Sequence, residues 1–506
     1  MSTTKKLIIG SASRTLLSLS QMAVGFFMLP FLVRNLGDHW YGVWTVIGST
    51  FAYLTMMDLG LSQAIILYLS RYIATKEHDK ANAVVNTAIV VYSGISVCVL
   101  VLAAVLAFFI DKILGNHADV GLASTVIMIL GVSLAIELPF NSFSGIIGAY
   151  VRYELLSLTR LIVLLVNTTL TVYFISRGYG ILALAFIQLV SCILFNILFY
   201  TISKHCFREL KVGRRYFDRS VIGQLTHISA WSFVSNVSYL LKFKLNAIVV
   251  SALMSPAAVT HFAVGSRLAD YFRDFLFQAT NLTTPVLTRY HVLEKEDELR
   301  NKLLFLTKIN TALAFMGGGV ILIVGHAFIA TWMGTNYLDA YPILVVLVVA
   351  MMFEITIDPS RCALAAMGKN RLIALLEVTE AALNVALSIV LGMLYGPIGV
   401  ALGTAIPLIL MKVFVAPKIV CRLTKTRLPA FYGAIAPIVL MTAGYLGVYG
   451  YVAHEYMIRE SYLNIVAVGS LAVPLYLLLA YRFFFDPSEI ALLKQMLPGR
   501  RAAPAV

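Results

Sequence analysis

Ionisable side chains are scarce in this chain. Aspartate, glutamate, lysine and arginine make up 13% of the 506 residues, and hydrophobic residues make up 60%. The charged share is about half that of a soluble globular protein, which excludes a water-soluble enzyme. Polar sequence is short as well as scarce. The longest polar intervals lie at about 203–220, 288–302 and 486–506, too little for a soluble domain. The five cysteines, Cys98, Cys192, Cys206, Cys362 and Cys421, are scattered. No pair of them has metal-ligand spacing, and no disulfide is expected. No nucleophile–base constellation, phosphate loop or metal motif occurs, so neither an enzyme nor a cofactor is expected. Three Asn-x-Ser/Thr matches, at Asn167, Asn236 and Asn281, fall inside apolar segments and carry no glycosylation signal.

What the chain has is long apolar runs. A bilayer-spanning helix needs about 20 mostly apolar residues. Fourteen stretches qualify: 8–33, 41–69, 82–110, 119–150, 155–176, 180–202, 221–253, 257–287, 303–327, 338–360, 372–395, 397–417, 431–452 and 462–485. Pro407 and Lys412 interrupt the twelfth. Lys5 and Lys6 before the first run resemble a signal-peptide start, but the run is too long and has no small-residue cleavage site, so it reads as a retained helix. The cations then orient the topology. Counting Arg160, Lys412 and Arg482, which lie within spans, with the adjoining loops and terminus, 29 Lys and Arg fall at the termini and in even-numbered loops, against 4 in odd-numbered loops. One missed helix would invert every later loop, so the split supports the span count and places both termini in the cytoplasm. The net charge of +14 is therefore a topology signal, with anionic lipid contact second and no nucleic-acid partner.

The few charges inside the spans form stripes at helical spacing. Span 1 aligns Ser11, Arg14, Ser18, Gln21 and Gly25. Span 7 aligns Ser235, Tyr239, Lys242 and Asn246, with Lys244 on the opposite side. Span 8 aligns Arg267, Asp270, Tyr271, Asp274, Gln278 and Asn281, and also carries Arg273. Span 10 aligns Glu354, Asp358 and Arg361; span 11 aligns Glu377, Glu380, Asn384 and Ser388. Span 2 offers Asp58, and span 4 offers Glu137 before Pro139. Each has a bland reading. Ser, Asn and Gln commonly cement helix pairs; Arg361 and Lys308 sit near span ends and can snorkel; Arg267 can pair with Asp270 or Asp274. A lone charge at a helix centre costs roughly 2.5–3.5 kcal/mol on insertion scales, so the set implies a shared wet interior. The embedded cations Arg14, Lys242, Arg267 and Arg273 suit an anionic substrate group such as a pyrophosphate or acidic sugar. The carboxylates Asp58, Glu137, Asp270, Asp274, Glu354, Asp358, Glu377 and Glu380 suit a coupling ion, H+ or Na+.

A shift of 218 residues places Phe262 on Trp44 and Arg289-Tyr290 on Arg71-Tyr72, and the layout of spans 1–3 recurs in spans 7–9. An offset of six helices gives two parallel halves. Four elements then carry a family resemblance. They are Leu36-Gly37-Asp38-His39-Trp40-Tyr41-Gly42-Val43-Trp44, Met57-Asp58-Leu59-Gly60-Leu61, Thr331-Trp332-Met333-Gly334 and Ala366-Met367-Gly368-Lys369-Asn370-Arg371. With them the chain resembles the polysaccharide-transporter, Wzx-type flippase branch of the multidrug/oligosaccharidyl-lipid/polysaccharide exporter superfamily. Gly37 and Gly42 suit a tight turn; Trp40, Tyr41 and Trp44 suit the membrane interface. Only Asp58 is carried over as a family position.

The resemblance implies an all-α polytopic membrane protein of about fourteen transmembrane helices. Two six-helix bundles, 1–202 and 221–424, would enclose a central cavity. A basic cytoplasmic linker, 203–220, joins them; two further helices occupy 425–485 and a cytoplasmic tail 486–506. It also implies ion-coupled alternating access carrying an undecaprenyl-diphosphate-linked oligosaccharide across the bacterial inner membrane for surface polysaccharide assembly, with a polysaccharide polymerase as a partner. Two readings within the same fold stay open, a peptidoglycan-precursor flippase and a drug/cation antiporter. A membrane glycosyltransferase or polymerase is remote, because its large outer loop is missing from connections of about 3 to 15 residues.

Overall fold

The computed structural model describes residues 3–58, 60–114, 120–226, 230–280, 283–486 and 489–490. Among them no β-strand occurs. Leu59, Asn281 and most of the 486–506 tail lie outside the described residues.

The first helix, α1 (Thr3–Thr55), shows why length alone does not count spans. A straight rod of that length would run about 80 Å at 1.5 Å per residue, more than twice the hydrocarbon thickness. Gly37, at φ 77° and ψ 165°, breaks it into two crossings in a conformation that a side chain resists. A second break follows: a 3-10 turn, Met56–Asp58, leads to Gly60 at φ 76°, which starts α2 (Leu61–Ala74). The chain continues through α3 (His78–Phe108), α4 (Ile110–Leu114), α5 (Val120–Ala149), α6 (Tyr153–Ile175) and α7 (Gly180–Cys206). Then come α8 (Arg219–Thr226), α9 (Ala230–Phe243), α10 (Leu245–Leu253), α11 (Pro256–Thr280), α12 (Thr283–Val292) and α13 (Glu296–Trp332). The last elements are α14 (Ala340–Ala366), α15 (Asn370–Tyr395), α16 (Pro397–Leu410), a π-turn at Met411–Val415, α17 (Ala416–Leu423), α18 (Leu428–Tyr456) and α19 (Tyr462–Phe483).

Among the described residues, twelve stretches are long and apolar enough to cross a membrane. The first, Ile9–Ala74, contains two crossings because of Gly37. The α11–α12 stretch is not among the twelve, because α11 carries Arg267, Asp270, Arg273 and Asp274 within 25 residues. Both adjustments together restore the fourteen crossings expected from sequence. The protein is a multi-pass, all-α membrane protein.

The chain divides into two compact units, Met1–Ala263 and Val264–Val506. The division falls within α11, whereas the expected bundles part at linker 203–220. The reason is that the segment after the linker is tied back to unit 1. Ser251 Oγ donates to the Ile113 carbonyl (3.0 Å), Thr260 Oγ1 donates to the Asp38 carbonyl (2.6 Å), and a Cβ on Gly42 would fall 1.7 Å from the Pro256 carbonyl oxygen. Gly42 therefore serves close approach within a helix rather than the tight turn expected of it. Tyr41 is buried rather than interfacial.

Small residues and short polar bridges hold unit 1. A Cβ on Gly145 would meet Ile65 at 2.5 Å, and one on Gly131 would meet Ala103 at 2.6 Å, so α5 closes tightly on α2 and α3. Ser96 donates across to the Ala135 carbonyl (2.7 Å), Ser203 to Phe143 (2.7 Å), and Asn167 to Ser191 (3.0 Å). These are cementing contacts, as the bland reading of small polar residues expects. On α3 the stripe Val97, Val101, Val105 and Phe108 is exposed, an apolar face suited to lipid.

Unit 2 uses the same devices. α15 packs on α16 through Gly403, whose Cβ would fall 2.3 Å from the Ser388 backbone. Tyrosines tie α19 to α13 and α18 to α19. The Tyr476 hydroxyl reaches the Ala312 carbonyl (3.0 Å), and Tyr445 and Tyr449 reach the Ala472 and Val468 carbonyls (2.7 and 2.6 Å). The outer faces of this pair, at Leu440, Val448, Leu463 and Leu478, are exposed. Gly403→Val should lower thermal stability in detergent by about 1–3 kcal/mol, the usual cost of overpacking. Gly444→Ala, where a Cβ meets open space, should not lower it. Melting curves of the two variants check this.

Candidate functional site

The densest group of membrane-embedded charge lies in unit 2. The α16 helix passes into a π-turn that carries Lys412. Such turns insert an extra residue and are common at functional positions. Lys412 Nζ lies 3.2 Å from Glu380 Oε2, and the Glu380 side chain is 2% exposed. Glu354 and Glu377 also lie within electrostatic reach of Lys412, so the ammonium feels carboxylates of both α14 and α15. Among the described residues, Glu354 Oε2 and Glu377 Oε2 are buried without a hydrogen-bond partner. One helical turn along α14, Asp358 Oδ1 accepts from Arg361 Nε (2.8 Å), and its Oδ2 lies 3.5 Å from the Cys362 thiol. Arg361 also feels Glu377, so the stripes of spans 10 and 11 form one network. Four carboxylates face two cations in it.

Lys412 was expected to interrupt the twelfth span and was counted with the cytoplasmic loop that follows it. The helical stretch instead continues past Pro407 and Lys412 to Leu423, and the lysine side chain is only 17% exposed. Arg361 and Lys308, read as snorkelling, both have carboxylate partners. Arg361 pairs with Asp358, and Lys308 Nζ binds both carboxylate oxygens of Glu489 at 3.0 Å.

Further along unit 2, Arg273 is buried and lies 3.5 Å from Asp270 Oδ1 and 3.2 Å from Asp274 Oδ1. The sequence separates these three residues by role, one as a substrate cation and two as ion-coupling acids. The structure joins them in one arginine–carboxylate group. Arg267 is exposed on the same helix.

Unit 1 holds two smaller groups. Asp58 sits in the break between α1 and α2. Its carboxylate accepts from the Tyr92 hydroxyl and from Ser62 Oγ (2.9 Å), and Tyr92 is fully buried beneath it. The Tyr53 hydroxyl donates to the Leu240 carbonyl (3.1 Å), bringing α9 and its buried Lys242 against this turn. The second group is Arg14, stacked 4.0 Å over the Tyr153 ring. Arg160 lies within electrostatic reach of both Arg14 and Glu137. Arg160 was counted with a basic loop, but it occupies the second turn of α6.

The geometry defines a class: a polytopic helical bundle protein whose membrane interior carries charge of both signs and no catalytic constellation among the described residues. The comparisons give the family. Residues 8–291 match the profile of the family described as polysaccharide biosynthesis protein, and the chain belongs to it. The membrane protein EpsK of Bacillus subtilis is 22% identical over 439 residues, covering 85% of this chain and 86% of EpsK. A putative O-antigen transporter of Shigella flexneri is 21% identical over 392 residues, covering 76% of this chain and 90% of its own. Among solved structures, the lipid II flippase MurJ in an inward closed conformation aligns with TM-score 0.72 at 17% identity, covering 92% of this chain and 98% of MurJ. An inward-facing multidrug resistance MATE transporter aligns with TM-score 0.70 at 16% identity, covering 84% and 99%. These structures show the shared fold.

Breaking a buried ion pair by removing one partner costs about 3–5 kcal/mol, whereas removing both costs far less. Lys412→Met and Glu380→Leu should each destabilise unit 2 by about that range, and the double variant by less than either sum. Denaturation of the purified protein in detergent checks this; additive losses would contradict the pairing.

Proposed function

We propose that this protein is a flippase. It carries an undecaprenyl-diphosphate-linked oligosaccharide across the bacterial cytoplasmic membrane by ion-coupled alternating access, for surface polysaccharide assembly. The observation that carries the reading is the retention of ionisable groups inside helices that otherwise face lipid. Packing needs no such groups, and each is costly there. A polar head group crossing lipid needs them. The family and the named O-antigen transporter favour a polysaccharide cargo.

In this reading Arg14, Lys242 and Arg267 are each candidates to donate charge-assisted hydrogen bonds to the diphosphate during its passage; Arg273 acts through its pair of aspartates. The sugar passes through the polar interior while the polyprenyl tail stays in lipid. The coupling ion, H+ or Na+, is held by the carboxylate network around Lys412, with Asp58 and Glu137 as further candidates. Both termini face the cytoplasm, and a polysaccharide polymerase receives the product. No bond is made or broken, so the protein is a carrier and not an enzyme. The MurJ likeness keeps a peptidoglycan-precursor cargo as the second reading.

Purified protein in liposomes should move a fluorescent lipid-linked glycan between leaflets. No movement with any glycan lipid of the host, under any ion gradient, contradicts the proposal. Lys242→Ala and Arg267→Ala should each slow transport about tenfold, the loss of one charged hydrogen bond, with normal expression. Normal rates in both would remove the cationic-site assignment. Loss of viability on deletion, with surface glycans unchanged, would favour the peptidoglycan precursor.

A further inference from the structure

The segment between α7 and α8 reads from sequence as a plain basic linker. In the structure it is clamped. Asn82 and Asn86, one turn apart on α3, are both buried. An asparagine side chain carries a donor and an acceptor like a peptide group, and these two act as a strand edge for the linker. Asn82 accepts from the Lys211 N–H (2.9 Å) and donates to the Glu209 carbonyl (3.0 Å). Asn86 accepts from the Gly213 N–H (2.8 Å) and donates to the Lys211 carbonyl (2.7 Å). The next residue on α3, Thr87, exchanges hydrogen bonds with the backbone N–H and carbonyl of Asp218 (3.1 and 3.2 Å). At the start of the segment Phe207 is fully buried, its ring 5.9 Å from that of His78 and 6.4 Å from that of Tyr150. The linker is thus pinned at 207, at 209–213 and at 218.

What this rigid strap presents outward is uniform in kind. Arg208, Lys211, Arg215 and Arg219 are exposed, and between them Val212 and Phe217 are 52% and 40% exposed. Of its two acids, Glu209 is exposed. Asp218 is held by the Ser220 hydroxyl and N–H, which keep its carboxyl below the usual range and ionised at working pH. Four exposed cations therefore face two anions. A flexible tether between bundles has no use for six side-chain-to-backbone clamps, nor for exposed apolar residues between its cations. Basic residues interleaved with apolar ones, lying at the end of a membrane helix, match the composition of surfaces that sit on anionic lipid. The cations are strung along the strap rather than gathered into a cup, which suits a sheet of headgroups better than one diphosphate. Pinning the backbone also removes the ordering cost that a free loop would meet on binding.

We propose that the clamped strap 207–219 is a docking surface for the anionic phospholipid headgroups of the adjacent leaflet. On the charge census that is the cytoplasmic one. The strap seats the first unit on the membrane by way of Asn82, Asn86 and Thr87. This role is independent of the cargo.

The test is backbone hydrogen exchange of the full-length protein in nanodiscs with neutral lipid or with added phosphatidylglycerol. Phosphatidylglycerol should slow exchange in 207–219 at least threefold. The triple variant Arg208→Gln/Lys211→Gln/Arg215→Gln should lose that response, and high salt should abolish it in the unaltered protein. Asn86→Ala should speed exchange at 211–213 in neutral lipid, which reports the clamp. An equal phosphatidylglycerol effect in the triple variant, or no effect in the unaltered protein, overturns the proposal. Equal slowing by inorganic pyrophosphate in neutral nanodiscs also overturns it, by making the strap a diphosphate site.

Discussion

A charge buried in a membrane protein must find a counter-charge or hydrogen-bond donors inside the same bundle, because lipid offers neither. Much of this structure follows from that requirement. Lys412 is tolerable because Glu380 lies 3.2 Å away and Glu354 and Glu377 stand near. Arg273 is tolerable because Asp270 and Asp274 share its guanidinium. Asp58 is held by two hydroxyls, Tyr92 and Ser62. Each solution needs helices close enough to bring partners together, and glycines such as Gly403 and Gly145 provide that approach.

The two units solve the problem differently. Unit 1 spreads its charges over separate groups, Asp58 with the neighbouring Lys242 helix, and Arg14 with Arg160 and Glu137. Unit 2 gathers carboxylates in excess around Lys412. Excess buried carboxylate is a feature that a bound proton or cation relieves, whereas scattered cations suit an anionic cargo. This division matches the roles proposed for an ion-coupled flippase.

Much of this was legible in the sequence. The fourteen crossings follow from hydropathy and from the Lys/Arg census, and the stripes of spans 10 and 11 follow from helical spacing. Three things were hidden for identifiable reasons. The place of Lys412 was hidden because Pro407 and the charge itself look like breaks in the span, and because a π-turn shifts the face on which later residues fall. The pairing of Arg273 with Asp270 and Asp274 was hidden because stripe counting sets Arg273 aside from the face of Arg267 and its neighbours. The Asn82–Asn86 clamp was hidden because its partners are backbone atoms more than 120 residues away. Side chain periodicity carries no trace of such a contact. The segment itself, basic and polar, gave no sign that it was fixed.

The central claim is that the unit 2 carboxylate network couples an ion to movement of a lipid-linked glycan. The most direct measurement is leaflet exchange of that lipid in liposomes, with and without an imposed H+ or Na+ gradient, in the unaltered protein and in Glu377→Gln. The account predicts that a gradient of one of these ions accelerates the unaltered protein, and that Glu377→Gln keeps its basal exchange but loses the acceleration. An identical gradient response in both proteins would contradict it.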